Sequence, residues 1–240
     1  MTSNDERGVS DVVSFTLVFS TIIFMIGVVT VTGIGTLGDV QEGTESNVAE
    51  QTMRKYTTTL SEHRTAGAPR RSMTIKLQGH SLGIVETNLR WSTDGGSPAP
   101  LQTNALVRRT ETDENLTYES GALFRTRGNS GVTVHKPPIR CSPGTAHISV
   151  VRLNSEFRFS TENRVTLRSE LVNQSITTRS ADSVTLYTDD TVSPPVWNDT
   201  LEDAGWQPVP ATTNQYRCNF TDTPGRVVVH KTTVSLDLVI

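Results

Sequence analysis

Residues 79–83 read GHSLG and match the pattern G-x-S-x-G, which in many serine hydrolases presents a nucleophilic serine on a sharp turn between a strand and a helix. The nucleophile would be Ser81. A carboxylate and then a histidine complete such a triad in chain order, and Asp182 or Asp189 followed by His230 satisfies that order. The first chemistry to test in this chain is therefore ester or amide hydrolysis.

The residues around the pattern favour another interpretation. The following segment alternates, with Val85, Leu89 and Trp91 on one side, which predicts a strand where the hydrolase turn requires a helix. The rest of the chain lacks alternating strand and helix patterns. We therefore expect residues 79–83 to form a hairpin turn between two strands, and hydrolysis stays a remote alternative.

Other catalytic patterns are missing from the sequence. The five histidines are isolated, none belongs to H-E-x-x-H, and no phosphate-binding glycine loop is present. The formal net charge is −3, and the basic pairs at 70–71 and 108–109 are too short for a nucleic-acid surface. We expect no catalytic residue, no metal, no cofactor and no nucleic-acid partner.

Two cysteines and four glycosylation patterns bear on the compartment. Cys141 and Cys218 have no C-x-x-C spacing. Outside the cytoplasm they can form one disulfide, and two buried free thiols are the alternative. The N-x-S/T patterns, which permit N-glycosylation outside the cell, lie at Asn115, Asn173, Asn198 and Asn219.

An uncharged run sets the organisation of the chain. The 27 residues between Asp11 and Asp39 contain no Asp, Glu, Lys or Arg. A helix of that length exceeds the ~30 Å of a bilayer core, at ~1.5 Å per residue. We expect a single membrane-spanning helix over about 12–38, with the N-terminus inside and the C-terminal domain outside the cell.

The helix should continue beyond the membrane. Val48, Thr52, Tyr56 and Leu60 recur at helical spacing between charged residues, so we expect one long helix over 9–62 that breaks in 63–69. From residue 70 to 240 the period changes to two, with one further helix that begins at Pro194–Pro195. The expected fold is α+β: a long N-terminal transmembrane helix and a mainly antiparallel, β-sandwich-like head. Expected strands are 73–78, 84–91, 105–109, 122–127, 132–135, 146–153, 157–160, 164–176, 183–188 and 226–240.

Arg7-Gly8, followed by Val9, Ser10 and Asp11 and then the apolar run, resembles the class III signal of archaeal type IV pilins and archaellins. The segment 118–124 (YESGALF) is similar to uncharacterised pilin-like surface proteins of halophilic archaea. The resemblance implies that a prepilin peptidase cuts after Gly8, removes the leader 1–8 and leaves Val9 as the new N-terminus. It also implies assembly with copies of the chain or with other pilin-like subunits.

Asp11 is an unusual residue at the start of an apolar run, because an unpaired carboxylate in lipid is costly. After the cut, Asp11 would lie within reach of the Val9 ammonium of a neighbouring subunit; a helix N-cap in the headgroup zone is the alternative. Small or hydroxylated residues that permit close helix approach recur at Ser14, Thr21, Thr32 and Gly35. We expect a structural subunit, major or minor, of a cell-surface filament or assembly. The alternative is an anchored β-domain that binds a ligand or partner and does not polymerise.

Overall fold

The structure is a computed structural model that describes residues 5–77, 80–110, 114–128, 130–161, 163–221 and 224–239; of 5–11 and 31–44 it describes the backbone only. The chain divides into two compact units, Met1–Ala49 and Glu50–Ile240. The first helix, α1 (Asp5–Ala66), contributes to both, and each unit is described by itself.

The second unit is rich in strands, as the alternating patterns predict. Besides the end of α1, this unit contains the helix α2 (Pro194–Asp203), which has proline in its first turn. The strands are β1 (Arg70–Lys76), β2 (Ser81–Val85), β3 (Asn88–Thr93), β4 (Ala99–Pro100), β5 (Ala105–Arg109), β6 (Glu114–Glu119), β7 (Ala122–Arg127), β8 (Ser130–His135), β9 (Ile139–Ser142), β10 (Thr145–Leu153), β11 (Arg158–Ser160), β12 (Arg164–Ala181), β13 (Ser183–Asp190), β14 (Gln207–Pro208), β15 (Gln215–Asn219) and β16 (Gly225–Val239).

The described strands form three sheets. Their strand orders are β1-β12-β16-β10-β9, β11-β2-β5-β6-β7-β8 and β14-β15-β13-β3-β4. The pairing is antiparallel except between β10 and β16, which run parallel from Thr145 opposite Arg226 to Leu153 opposite Val234. The expected α+β class, with an N-terminal apolar helix and a mostly antiparallel β-rich domain, is confirmed.

One buried cluster takes side chains from all three sheets and from α2. Trp197 of α2 lies edge-on to Phe124 of β7, with ring centroids 5.2 Å apart. Val184 of β13 and Val229 of β16 belong to the same cluster. Because each sheet is apolar on the side that meets the others, the cluster stabilises the arrangement of the whole second unit.

The last part of α1 packs within the second unit. Met53, Tyr56, Leu60 and His63 follow one another at spacings of three and four and are each 0% exposed. His63 Nδ1–H donates to the carbonyl of Ala68 at 2.5 Å, and its Nε2 lies 2.8 Å from the Ser169 hydroxyl on β12. This face of the helix is therefore part of the core.

The helix ends where the sequence predicts a break. The last helical residue is Ala66, and Gly67 follows with φ +62°, a left-handed conformation that glycine adopts without strain. Since the second unit begins at Glu50, the break at 63–69 closes the helix and does not divide the chain into units.

Two strand expectations are wrong. The predicted hairpin at 79–83 does not form, because β1 pairs with β12 and β2 pairs with β5 and β11 in a different sheet. The single strand expected through Val85 and Trp91 is two strands that belong to different sheets, with Glu86 and Thr87 between them. Local alternation predicted the extended conformation but not the long-range partners.

Candidate functional site

The apolar part of α1 is the first candidate for function. Val12–Thr30 has 19 residues and a mean hydropathy of 2.5, and none of it is buried within the protein. The exposed fraction of Phe24 reaches 72%. By length and composition this segment can cross a membrane.

The three threonine hydroxyls of this segment are satisfied within the helix. The hydroxyls of Thr16, Thr21 and Thr30 each donate to the carbonyl four residues earlier at 2.8 Å. Such bonds let threonine lie in hydrocarbon without an unpaired donor. The outer surface of the segment is thus chemically compatible with lipid or with another apolar helix.

No described residue of the chain packs closely against Gly27. A Cβ atom placed on Gly27 would meet nothing within 4 Å, although glycine costs a helix roughly 1 kcal/mol relative to alanine. Ser20 lies seven residues earlier, close to the same side of the helix, and Ser14 and Thr21 form a second pair with this spacing. These are positions at which another helix can approach closely.

The residues predicted for processing lie at the start of α1. Arg7, Gly8, Val9 and Asp11 are within the helix, and their side chains lie outside the described residues. The same holds for the predicted contact residues Thr32 and Gly35.

The G-x-S-x-G pattern does not form a strand-to-helix turn in the part that the structure describes. Gly79 lies outside the described residues, and Ser81 is the first residue of β2, which β3 follows. Gly83 is explained by packing, since a Cβ there would lie 3.1 Å from the carbonyl oxygen of Phe157. His230 lies on β16 of another sheet, and Asp189 forms an ion pair with Arg90. Ser81, Asp189 and His230 therefore lie on three different sheets, and Ser81 does not lie on a strand-to-helix turn.

Cys141 and Cys218 form a disulfide with 5.7 Å between their Cα atoms. It joins β9 to β15 and therefore links two sheets at the edge of the shared core. A Cβ on Gly205 would lie 2.9 Å from the carbonyl oxygen of Cys141, so the turn after α2 approaches this link closely.

The four N-x-S/T patterns occupy different environments. Asn173 and Asn219 are exposed. Asn115 is half-buried, and Thr117, the third residue of its glycosylation pattern, is fully buried. The amide of Asn198 accepts from the Thr188 hydroxyl at 2.9 Å and donates to Asn214 at 3.0 Å. An attached glycan fits Asn173 and Asn219 without disturbing such contacts.

The second candidate is a cavity of 630 Å³ in the second unit, here called the polar cleft. Four separate segments contribute to it: 86–88, 102–104, 152–156 and the end of β13. All of its lining residues are polar or charged: Glu86, Thr87, Asn88, Gln102, Asn104, Arg152, Asn154, Ser155, Glu156 and Asp190. It is thus a site at which loops at the ends of strands converge.

Hydrogen bonds hold these segments in place. Asn88 Oδ1 accepts from the backbone N–H of Gln102 at 3.0 Å, and Asn104 Nδ2 donates to the carbonyl of Leu153 at 2.9 Å. The N–H of Leu153 donates to the carbonyl of Thr103 at 3.0 Å. Gln102 and Asn104 both have φ +52°, a left-handed conformation that is uncommon outside glycine. Strain of this kind clusters at binding sites and persists where the surroundings enforce it.

A buried carboxyl group lies beneath the polar cleft. Glu119 is 0% exposed and accepts from Trp197 Nε1 at 2.8 Å. The hydroxyls of Thr87 and Thr103 lie 3.0 Å apart and both act to lower the pKa of the same carboxyl group, so Thr87 connects it to the cleft. Burial raises the pKa of Glu119, and the hydrogen bonds to its carboxyl group offset only part of that shift.

The sequence gives no signal for the polar cleft, because its residues come from four distant segments and each is an ordinary loop residue. Glu119 stands out only as an acidic residue between Tyr118 and Ser120, both buried, in a strand that alternation does not reveal. Among the residues that the structure describes, no three His, Cys, Asp or Glu side chains are placed to hold a metal ion.

No curated protein and no solved structure matches the chain. A family profile matches residues 7–237, which include both the apolar segment and the strand-rich unit. The chain therefore belongs to the family of unknown function DUF7289.

Proposed function

We propose that this protein is a pilin-like structural subunit of a cell-surface filament or assembly, anchored by α1. The observation that carries the proposal is the segment Val12–Thr30, which is uncharged and predominantly apolar and whose side chains are all exposed. A soluble protein rarely leaves such a large apolar surface uncovered. Lipid, neighbouring copies or both must cover it.

Length and composition suit a membrane. Nineteen helical residues rise roughly 28 Å at ~1.5 Å per residue, close to the ~30 Å of a bilayer core. The family match spans this segment and the second unit together, so the family profile includes both the apolar segment and the strand-rich head. The disulfide supports a head outside the cytoplasm, because disulfides persist in oxidising compartments.

Packing between copies is supported by the small residues. Ser20 and Gly27 lie on one line along the helix, and Ser14 and Thr21 lie on a second line about 100° away. Two lines of close approach let each helix contact two neighbours, which an extended assembly requires and a simple dimer does not. An ion pair between Asp11 and the Val9 ammonium of a neighbour would fix the axial stagger of the helices.

The head is inferred to be sandwich-like, because one buried cluster takes side chains from all three sheets. A second candidate function rests on the polar cleft: an anchored domain that binds a ligand outside the cell without polymerising. The two candidates share the membrane anchor and differ in whether α1 contacts other copies.

Mass spectrometry of the protein isolated from its own cells tests the processing step. We expect a mature chain that begins at Val9, and Gly8→Val should preserve the leader because the peptidase requires a small residue before the cut. Gly27→Ala is the matched control and should leave processing unchanged. An intact Met1 on the membrane-bound protein would reject the pilin-like assignment.

Imaging of cells that express a head-tagged copy separates the two candidates. The proposal predicts tagged surface fibres or clusters that disappear with Gly8→Val. Single tagged molecules spread evenly over the membrane, with processing intact, would favour the anchored binding domain.

A further inference from the structure

We propose that the polar cleft binds an uncharged saccharide. The cleft lies wholly within the Glu50–Ile240 unit, and the inference does not depend on whether copies of α1 assemble. Its volume of 630 Å³ falls within the roughly 300–1,000 Å³ that is usual for small-ligand sites.

The cleft holds charged side chains that have no partner among the described residues. The side chains of Arg152, Glu86 and Glu156 make no hydrogen bond or ion pair with any residue that the structure describes. The Nε atom of Arg152 is also shut off from solvent and has no acceptor. A ligand in the cleft does not reach this enclosed atom, but the two terminal nitrogens of the half-buried guanidinium are not enclosed and can donate to a ligand oxygen.

The cleft also presents neutral side chains whose hydrogen-bonding groups are not all used by the described residues. Asn88 and Asn104 each use one end of the amide within the protein, through Oδ1 and Nδ2 respectively, and keep the other end free among the described contacts. The side chains of Gln102 and Asn154 have no hydrogen-bond partner in the described residues. Donors and acceptors are thus interspersed on rigid supports, as a ligand with many hydroxyl groups requires, since each hydroxyl both donates and accepts.

Charge and polarity disfavour anionic and apolar ligands. Asp190 is paired with Arg90 at 3.5 Å, which leaves the carboxylates of Glu86 and Glu156 against the guanidinium of Arg152. This excess of negative charge disfavours phosphates, sulfates and acidic sugars. No apolar residue lines the cleft in the part of the chain that the structure describes, so a lipid or aromatic ligand would find only the aliphatic parts of polar side chains there. The acidic side chains do not form a three-ligand metal group in the part of the chain that is described. An uncharged polyhydroxylated ligand satisfies the free groups without an unpaired charge of its own.

The full chain in lipid nanodiscs, without sugar-based detergent, should be screened against immobilised glycans. The measurement then uses the trisaccharides maltotriose, cellotriose, mannotriose and chitotriose in isothermal titration calorimetry, with trigalacturonate as the acidic counterpart. We expect at least one neutral saccharide to bind in the micromolar to millimolar range. Trigalacturonate should bind at least tenfold more weakly.

Two variants locate the binding. Arg152→Gln and Glu156→Gln should each weaken binding of the selected saccharide at least tenfold. The exposed Arg168→Gln on β12 is the matched control and should leave the affinity unchanged. Glu156 is exposed, so its variant keeps the test valid if Arg152→Gln does not fold.

Four outcomes would overturn the proposal. They are no glycan binding above background, preference for the acidic saccharide, unchanged affinity in both cleft variants, and tight binding of an amine or a divalent cation that neutral saccharides do not displace.

Discussion

Two stretches of the helix α1 differ in the burial of their side chains. In Val12–Thr30 the described side chains are all exposed, and Phe15 and Phe19 stack on each other with centroids 6.1 Å apart. In the part from Glu50 to Ala66, one face carries Met53, Tyr56, Leu60 and His63, all fully buried, and the other is polar. The second stretch is amphipathic and the first is apolar all round.

The two stretches differ in whether the chain itself buries their apolar side chains. The amphipathic stretch has its contacts within the second unit, where Glu50 binds both Arg54 and Arg125. The apolar stretch keeps its side chains exposed, and α-helix formation alone does not remove their surface from water. The comparison predicts that substitutions in the two stretches alter different properties.

The largest expected effect is loss of membrane retention. Ile23→Lys with Phe24→Lys places two charges at the centre of the apolar stretch, at roughly 2.5–3.5 kcal/mol each. We expect the protein to leave the membrane fraction on alkaline carbonate extraction. Gln51→Lys with Thr58→Lys, on the exposed side of the amphipathic stretch, is the control and should remain in the membrane. Equal extraction of both variants would contradict the division between the stretches.

Removal of the disulfide should affect only the head. Cys141→Ala with Cys218→Ala opens a loop of 77 residues and should lower the free energy of unfolding by about 4 kcal/mol. Urea unfolding followed by tryptophan fluorescence measures this, since all three tryptophans lie in the second unit. Carbonate extraction should not change. A destabilisation under 1 kcal/mol would show that the link contributes little.

Truncation of one leucine in each stretch sharpens the comparison. Leu60→Ala removes a fully buried side chain and should cost the head about 3 kcal/mol in urea unfolding. Leu17→Ala, 64% exposed before substitution, should stay within about 0.5 kcal/mol of the wild type. Equal effects of the two substitutions would place Leu60 outside the cooperative core.

The smallest effect concerns pH. Because burial raises the pKa of Glu119 above its unfolded value, the stability it contributes is full below the unfolded pKa and falls as pH rises through the folded pKa. Glu119→Gln carries no such charge, so we expect its Tm relative to the wild type to be higher at pH 8 than at pH 4. The exposed Glu156→Gln, compared with the wild type at the same two pH values, is the control for the loss of one acidic side chain. A Tm difference for Glu119→Gln that is constant over this range would contradict burial as the dominant cause.

Local patterns predicted elements and missed their partners. Ala105–Arg109 and Ala122–Arg127 appear with the expected bounds, because each begins with a short apolar run that is buried. β6 was missed, since Thr117 and Glu119 are buried although polar and hide the alternation. The pairing of β1 with β12 joins segments about a hundred residues apart, and no local rule specifies it.

The candidate sites differ in the same way. The apolar stretch is one contiguous run, and hydropathy alone finds it. The polar cleft depends on four loops that only the folded sheets bring together, and its residues carry no pattern in the sequence.

Cysteine cross-linking in native membranes tests most directly whether α1 meets other copies of itself. Both native cysteines are in the disulfide, so Thr21→Cys introduces a single reactive thiol on one of the lines of small residues. Phe19→Cys is at nearly the same depth and about 160° around the helix. We predict that mild oxidation yields covalent dimers through Cys at position 21 and far fewer through position 19. Monomers alone from both variants, in membranes that hold the correctly processed protein, would contradict the proposed assembly.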